Sequence, residues 1–189
     1  VYDGAQHFSI MQVSDIEQNA IMIDSVSKRF SMCGARIGWV VSKNKDVMMS
    51  VLKFAQARLS PPTYSQIGAE RAFDVPETYF EEVLKEYTQR RNVLIEELRK
   101  VEGVRVSMPK GAFYCIAELP VENAEDFCIW LLDHFSVNNE TVMLAPAEGF
   151  YATEGLGCNQ VRIAYVLEKE KIVKAIHILG EALKEYNKH

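Results

Sequence analysis

Apolar residues first gather at Ile21-Met22-Ile23, a short run that predicts a buried strand over residues 20–24. A polar, glycine-bearing interval follows. A second apolar run, Ile37 to Val41, then predicts a strand over 37–42. Val47, Met48, Val51, Leu52, Ala55 and Leu59 recur at helical spacing and predict a helix over 45–59 with one buried face. Met48, Met49 and Phe54 read as core on that pattern. Ser60-Pro61-Pro62 breaks the helix, and a second one is expected over 64–73. Pro76 opens a long helix whose stripe is Phe80, Val83, Leu84, Tyr87, Leu94, Leu98 and Val101. Gly103 ends it as a left-handed cap. The Arg90-Arg91 pair reads as a solvated face balanced by nearby glutamates. Residues 1–18 show no period.

Beyond Gly103 the pattern turns α+β. Residues 104–108 alternate as a half-exposed strand, Pro109-Lys110-Gly111 is a turn, and 112–119 form a second strand. Asn123 with Asp126 caps a helix whose apolar face is Phe127, Trp130, Leu131 and Phe135. Strands are expected over 141–145 and 161–166, with a glycine-bearing loop between them. A last helix over 168–186 buries Ile172, Ala175, Ile176, Leu179 and Leu183.

Composition narrows the class. The 189 residues are 48% hydrophobic and 25% charged, an ordinary globular balance with enough apolar mass for one sizeable core or two small ones. A net charge of −5 argues against a nucleic-acid-binding surface. No apolar run approaches the roughly 20 residues needed to span a bilayer. Cys33, Cys115, Cys128 and Cys158 are scattered without metal-ligand spacing, so no metal is expected and a reducing cytoplasm fits.

The candidate chemistry sits between the first two strands, in Asp24 to Trp39. Lys28 follows Ser25 and Ser27 at the end of an apolar run, and Arg36 lies between Gly34 and Gly38. A lysine amine forms a Schiff base with a carbonyl when it is neutral, although its reference pKa is about 10.4. A guanidinium and two hydroxyls suit a phosphate. The other reading is a surface lysine beside an arginine in a structural salt bridge. Farther on, Arg162 stands inside the run Val161-Arg162-Ile163-Ala164 and needs a partner. It is either a clamp for a carboxylate or half of a salt bridge with Glu148 or Glu154.

The string Ser25, Ser27, Lys28, Phe30, Ser31, Gly34, Arg36, Gly38, Trp39 resembles the pyridoxal-phosphate lysine signature of class I/II aminotransferases of fold type I, the aspartate aminotransferase-like enzymes. Pro146, Gly149, Phe150, Gly155, Gly157, Asn159, Val161, Arg162 and Ile163 resemble the family's C-terminal P-G-x-x-F and N-x-V-R-I elements, with Ala147-Glu148 inserted where many members place Gly directly after Pro. Pro109-x-Gly111-Ala112-Phe113-Tyr114 resembles a third, structural, marker. The resemblance implies that Lys28 is the catalytic, cofactor-bonding lysine, that Arg36 and Ser25 hold the pyridoxal 5'-phosphate phosphate with Ser27 beside them, and that Arg162 binds the substrate α-carboxylate.

It further implies an α/β fold that is the C-terminal half of such an enzyme. Residues 1–76 are expected to belong to the large cofactor-binding domain, 77–102 to the interdomain helix and 103–189 to a small α+β domain. The aspartate facing the pyridine nitrogen and the aromatic stacked on the ring are then expected before Val1, so neither Tyr2 nor Asp3 takes those roles. The implied reaction moves an amino group between an L-amino acid, aspartate foremost, and a 2-oxo acid such as 2-oxoglutarate, in a homodimer. A lyase on the same scaffold and a non-catalytic regulatory domain are the alternatives.

Overall fold

The computed structural model describes residues 1–188, which divide into two units, Gln6–Tyr79 and Val1–Ala5 with residues 80–188. In the first unit the two predicted strands are an antiparallel hairpin, β1 (Met22–Ser25) and β2 (Gly38–Val41), with Ser25 opposite Gly38. Its connection is not open loop. A one-turn helix α1 (Val26–Arg29) and a 3-10 turn at Cys33–Ala35 fill it. The Val26 N–H donates to the Ile37 carbonyl, 3.3 Å away, which closes the hairpin where α1 begins. Val26 and Phe30 are buried against Ala69 and Ala72 of α3 (Thr63–Ala72), with Ile37 and Trp39 packed at the margin. This small core is what holds the lysine-bearing turn.

Helix α2 (Lys45–Arg58) forms where expected. Asn44 Oδ1 accepts from the Asp46 and Val47 N–H groups and so caps its start. The expected buried face is not seen, since no residue of α2 is buried, and Met49 and Phe54 are exposed rather than core. Helical spacing reports which face a helix is able to bury; burial itself needs a facing layer. The two-stranded hairpin of this unit supplies none.

The second unit takes most of α4 (Glu77–Lys100), the helix in which the boundary between the units falls. It holds a four-stranded antiparallel sheet in the order β3 (Arg105–Val106), β4 (Tyr114–Glu118), β6 (Gln160–Ala164), β5 (Ala145–Pro146). Alternation on the central strands sorts the side chains. Cys115, Ala117, Val161 and Ile163 enter a core with Leu94 and Leu98 of α4, Phe127 and Leu131 of α5 (Ala124–His134), and Ile176 and Leu179 of α6 (Lys169–Tyr186). Tyr114, Ile116, Glu118, Gln160 and Arg162 share the other face, which has no such cover. The strand expected over 141–145 shrinks to its last residue plus Pro146. Gly103 has φ +76°, as the cap requires, and a Cβ there would come within 2.7 Å of Pro120 Cβ.

Of the arginine pair at the middle of α4, Arg90 meets Glu86 at 2.7 Å, one turn away, as expected, and Arg91 departs from expectation. Arg91 is 2% exposed, not solvated. Its guanidinium meets both carboxylate oxygens of Asp3 at 2.7 and 3.0 Å, donates to the Pro109 carbonyl at 3.0 Å and lies over the Tyr2 ring. The Tyr2 N–H donates to the Lys110 carbonyl at 2.9 Å. Residues Val1–Ala5, read from sequence with the large domain, therefore pack with this unit. No helix among the described residues is long and apolar enough to cross a membrane.

Candidate active site

Ser25 ends β1 and begins α1. Its Oγ accepts from the Ser27 N–H at 3.3 Å, a helix cap that leaves the hydroxyl hydrogen able to donate elsewhere. The Asp24 carboxylate fixes the same corner, accepting from the Ser25 N–H at 2.7 Å and from Arg29 at 3.1 Å. Lys28 therefore sits on the helical turn after β1 rather than at the strand end, and its side chain is exposed.

Arg36 follows the 3-10 turn with φ +57° and ψ +40°, the left-handed region where a non-glycine residue is strained. Its Nη1 donates to the Cys33 carbonyl at 2.9 Å, folding the side chain back over its own turn. The structure brings Ser25, Ser27 and Arg36 onto one groove of about 1030 Å³, closed by Trp39 of β2 and by Phe54, Arg58 and Leu59 at the end of α2. Lys28 is adjacent in sequence but is not among its lining residues. Two hydroxyls and a guanidinium with unused N–H groups suit a phosphate dianion, so the residues present fit the phosphate end of the implied cofactor. Leu59 has φ +71° and ψ +167°, a region otherwise almost confined to glycine, so the wall it forms is held under strain.

Gly38 makes the corner possible. An added Cβ would lie 2.9 Å from the Asp24 carbonyl oxygen and 3.3 Å from Ser25 Cβ. Only glycine lets β2 come this close to the residue that carries the cap.

Arg162 belongs to the other unit and forms its own group. Antiparallel register sets it opposite Ile116 on the uncovered face of the sheet. Its Cζ lies 4.6 Å from the Tyr114 ring centroid and 4.6 Å from that of Phe150. Neither salt-bridge partner weighed from the sequence is engaged. Glu148 instead accepts from the Cys158 thiol at 3.4 Å, a contact that holds the thiol pKa up, and Arg162 has no ion pair among the described residues. The motif residue Phe150 and the strand marker Tyr114 were visible in the sequence, but their place against Arg162 was not. It depends on a strand register and a 3-10 turn at Glu148–Phe150.

The family model for aminotransferase class I and II matches residues 1–179. The chain belongs to the class I and II aminotransferases. It is 29% identical over 187 residues to an aspartate aminotransferase of Pyrococcus horikoshii, covering 97% of this chain and 45% of that protein. A crystal structure of an aromatic aminotransferase from Pyrococcus horikoshii superposes with a TM-score of 0.83 at 27% identity, covering 99% of this chain and 49% of that one. LysN, an α-aminoadipate aminotransferase from Thermus thermophilus solved with N-(5'-phosphopyridoxyl)-L-leucine, superposes with a TM-score of 0.74 at 27% identity over 87% of this chain and 42% of that one. This aminotransferase chain thus spans about half the length of the relatives it matches. Its fold is that of the fold-type-I enzymes, and the family's cofactor is pyridoxal phosphate.

Proposed function

We propose that the intact protein is a pyridoxal-phosphate aminotransferase that exchanges an amino group between an L-amino acid, aspartate foremost, and a 2-oxo acid such as 2-oxoglutarate. The observation that carries the reading is the convergence of Ser25, Ser27 and Arg36 on one groove beside the Lys28 turn, within a chain matched to the family over residues 1–179. The aspartate preference takes its support from relatives such as the Pyrococcus horikoshii enzyme.

Arg36 and the Ser25 and Ser27 hydroxyls anchor the phosphate of the cofactor. When bound, the cofactor supplies a carbonyl carbon that an amine can bond to and a ring that accepts the electrons released at the substrate α-carbon. The Lys28 amine, once free of the cofactor, removes the α-proton and returns it one position along, acting first as base and then as acid. Arg162 grips the α-carboxylate, which fixes the orientation of the C–H bond that must break. The protein is expected to work as a homodimer. The exposed apolar side chains of Phe54, Leu59, Tyr64 and Ile67 in the first unit are surface that such an assembly, or further polypeptide, would cover.

The test is turnover of the intact polypeptide with a panel of amino acids and 2-oxoglutarate. Aspartate is expected to yield oxaloacetate and glutamate in equal amounts. Elimination products without consumption of the 2-oxo acid would instead identify a lyase and overturn the transfer reaction.

A further inference from the structure

A guanidinium that must receive a mobile carboxylate faces a conflict. An acidic neighbour would hold it in place but would also occupy the edge that the ligand needs. Arg162 is half-buried, and among the described residues it has neither an ion pair nor a hydrogen bond. Instead its flat group lies between two rings, each 4.6 Å from Cζ. Ring faces attract the cation through their quadrupole and leave its N–H edge open.

Both rings are carried on backbone that is bonded into the sheet. Tyr114 stands on β4, two residues from the Ile116 that faces Arg162, and so lies diagonally across the same face of the sheet. Its neighbour Phe113 packs on it with centroids 4.5 Å apart. Phe150 ends a 3-10 turn that is bonded to the arginine's own strand. The Phe150 N–H donates to the Ala147 carbonyl at 2.9 Å, and the Ala147 N–H donates to the Gln160 carbonyl at 2.8 Å, two residues from Arg162. Ala147 is fully buried, so this turn has little room to shift.

We propose that Tyr114 and Phe150 are positioning residues that hold the Arg162 guanidinium in one plane, with its donor edge free, for the substrate α-carboxylate. This rests on the reading of Arg162 as the carboxylate clamp. Each ring acts on the substrate only through Arg162.

The test is steady-state kinetics of the intact, cofactor-loaded protein with aspartate and 2-oxoglutarate, for Tyr114→Leu, Phe150→Leu, their conservative counterparts Tyr114→Phe and Phe150→Tyr, Arg162→Ala, and each leucine change combined with Arg162→Ala. Each leucine change is expected to raise KM for both substrates about 2- to 30-fold, the range set by a cation–ring contact, with a far smaller effect on kcat. The conservative variants retain a ring and should keep most of the wild-type KM. In the Arg162→Ala background the leucine changes should cause no further loss of kcat/KM, because the group they position is gone. Unchanged KM in both leucine variants, beside a large loss in Arg162→Ala, would overturn the inference and leave the clamp standing. An equal loss with and without Arg162 would also overturn it, because the rings would then act on something else. No loss in Arg162→Ala alone would overturn the clamp and this inference with it.

Discussion

Replacing Gly38 by alanine adds one methyl at the tightest point of the lysine-bearing corner. The new Cβ would lie 2.9 Å from the Asp24 carbonyl oxygen and 3.3 Å from Ser25 Cβ. Carbon–carbon contacts are optimal near 3.5–4.0 Å, as an order of magnitude for non-bonded atoms, and the closest neighbour here is backbone that cannot rotate away. The hairpin must therefore open at Ser25, where the α1 cap and the hydroxyl proposed to hold the phosphate both reside. Overpacking of this kind costs roughly 1–3 kcal/mol. If it falls on the folded corner, the first unit unfolds at lower urea and cofactor affinity drops, about tenfold for every 1.4 kcal/mol expressed in binding. Trp39 lies on β2 and reports directly on this unit in a Trp130→Phe background, since the chain has only two tryptophans. Gly34→Ala is the control, because a Cβ there meets nothing within 4 Å, and it should shift stability by no more than about 0.5 kcal/mol. Equal unfolding midpoints and equal cofactor affinity for Gly38→Ala and wild type would refute the reasoning.

Arg162→Ala should weaken every amino acid and 2-oxo acid alike, by about 2–5 kcal/mol in kcat/KM, because all share the carboxylate it is proposed to grip. A loss confined to dicarboxylic substrates, read from the same kinetics, would assign Arg162 to the side-chain end. The Arg91 guanidinium holds the Asp3 carboxyl below its usual pKa. The stability that this pair contributes is therefore fully present above the unfolded-state pKa of about 3.9 and is lost as the pH falls through the lower folded value. Asp3→Asn should remove that part of the acid sensitivity, as followed by thermal melts across pH 2–6, roughly the window in which carboxylates titrate. Burial pushes the Cys115 thiol up to about 12 and Cys128 up to about 11, while Cys33 is exposed. A maleimide should label Cys33 in the native protein and reach Cys115 and Cys128 only on unfolding, which peptide mass spectrometry resolves.

The sequence carried much of this fold, and its failures have physical causes. The hairpin strands, α2, α3, α4, α5 and α6 all appear close to their expected limits, because apolar spacing and the breakers Pro61, Pro62 and Gly103 act locally. Burial was another matter. The α2 stripe has the spacing of a core helix and no residue buried, since periodicity carries no information about a facing layer. Arg91 looked solvated because its partner Asp3 lies 88 positions away along the chain. At the candidate site, the residue types were legible one by one through a local motif. The shared groove of Ser25, Ser27 and Arg36, the left-handed backbone at Arg36 and the ring pair around Arg162 were not, because each arises from strand register and turn geometry.

The central claim is that Lys28 bonds to the cofactor. Pyridoxal phosphate added to the intact protein, followed by borohydride reduction and peptide mass spectrometry, fixes the cofactor to whichever lysine holds it. One modified peptide, carrying Lys28, is expected, with loss of both the modification and turnover in Lys28→Ala. Stoichiometric labelling of a different lysine, or wild-type turnover by Lys28→Ala, would contradict it.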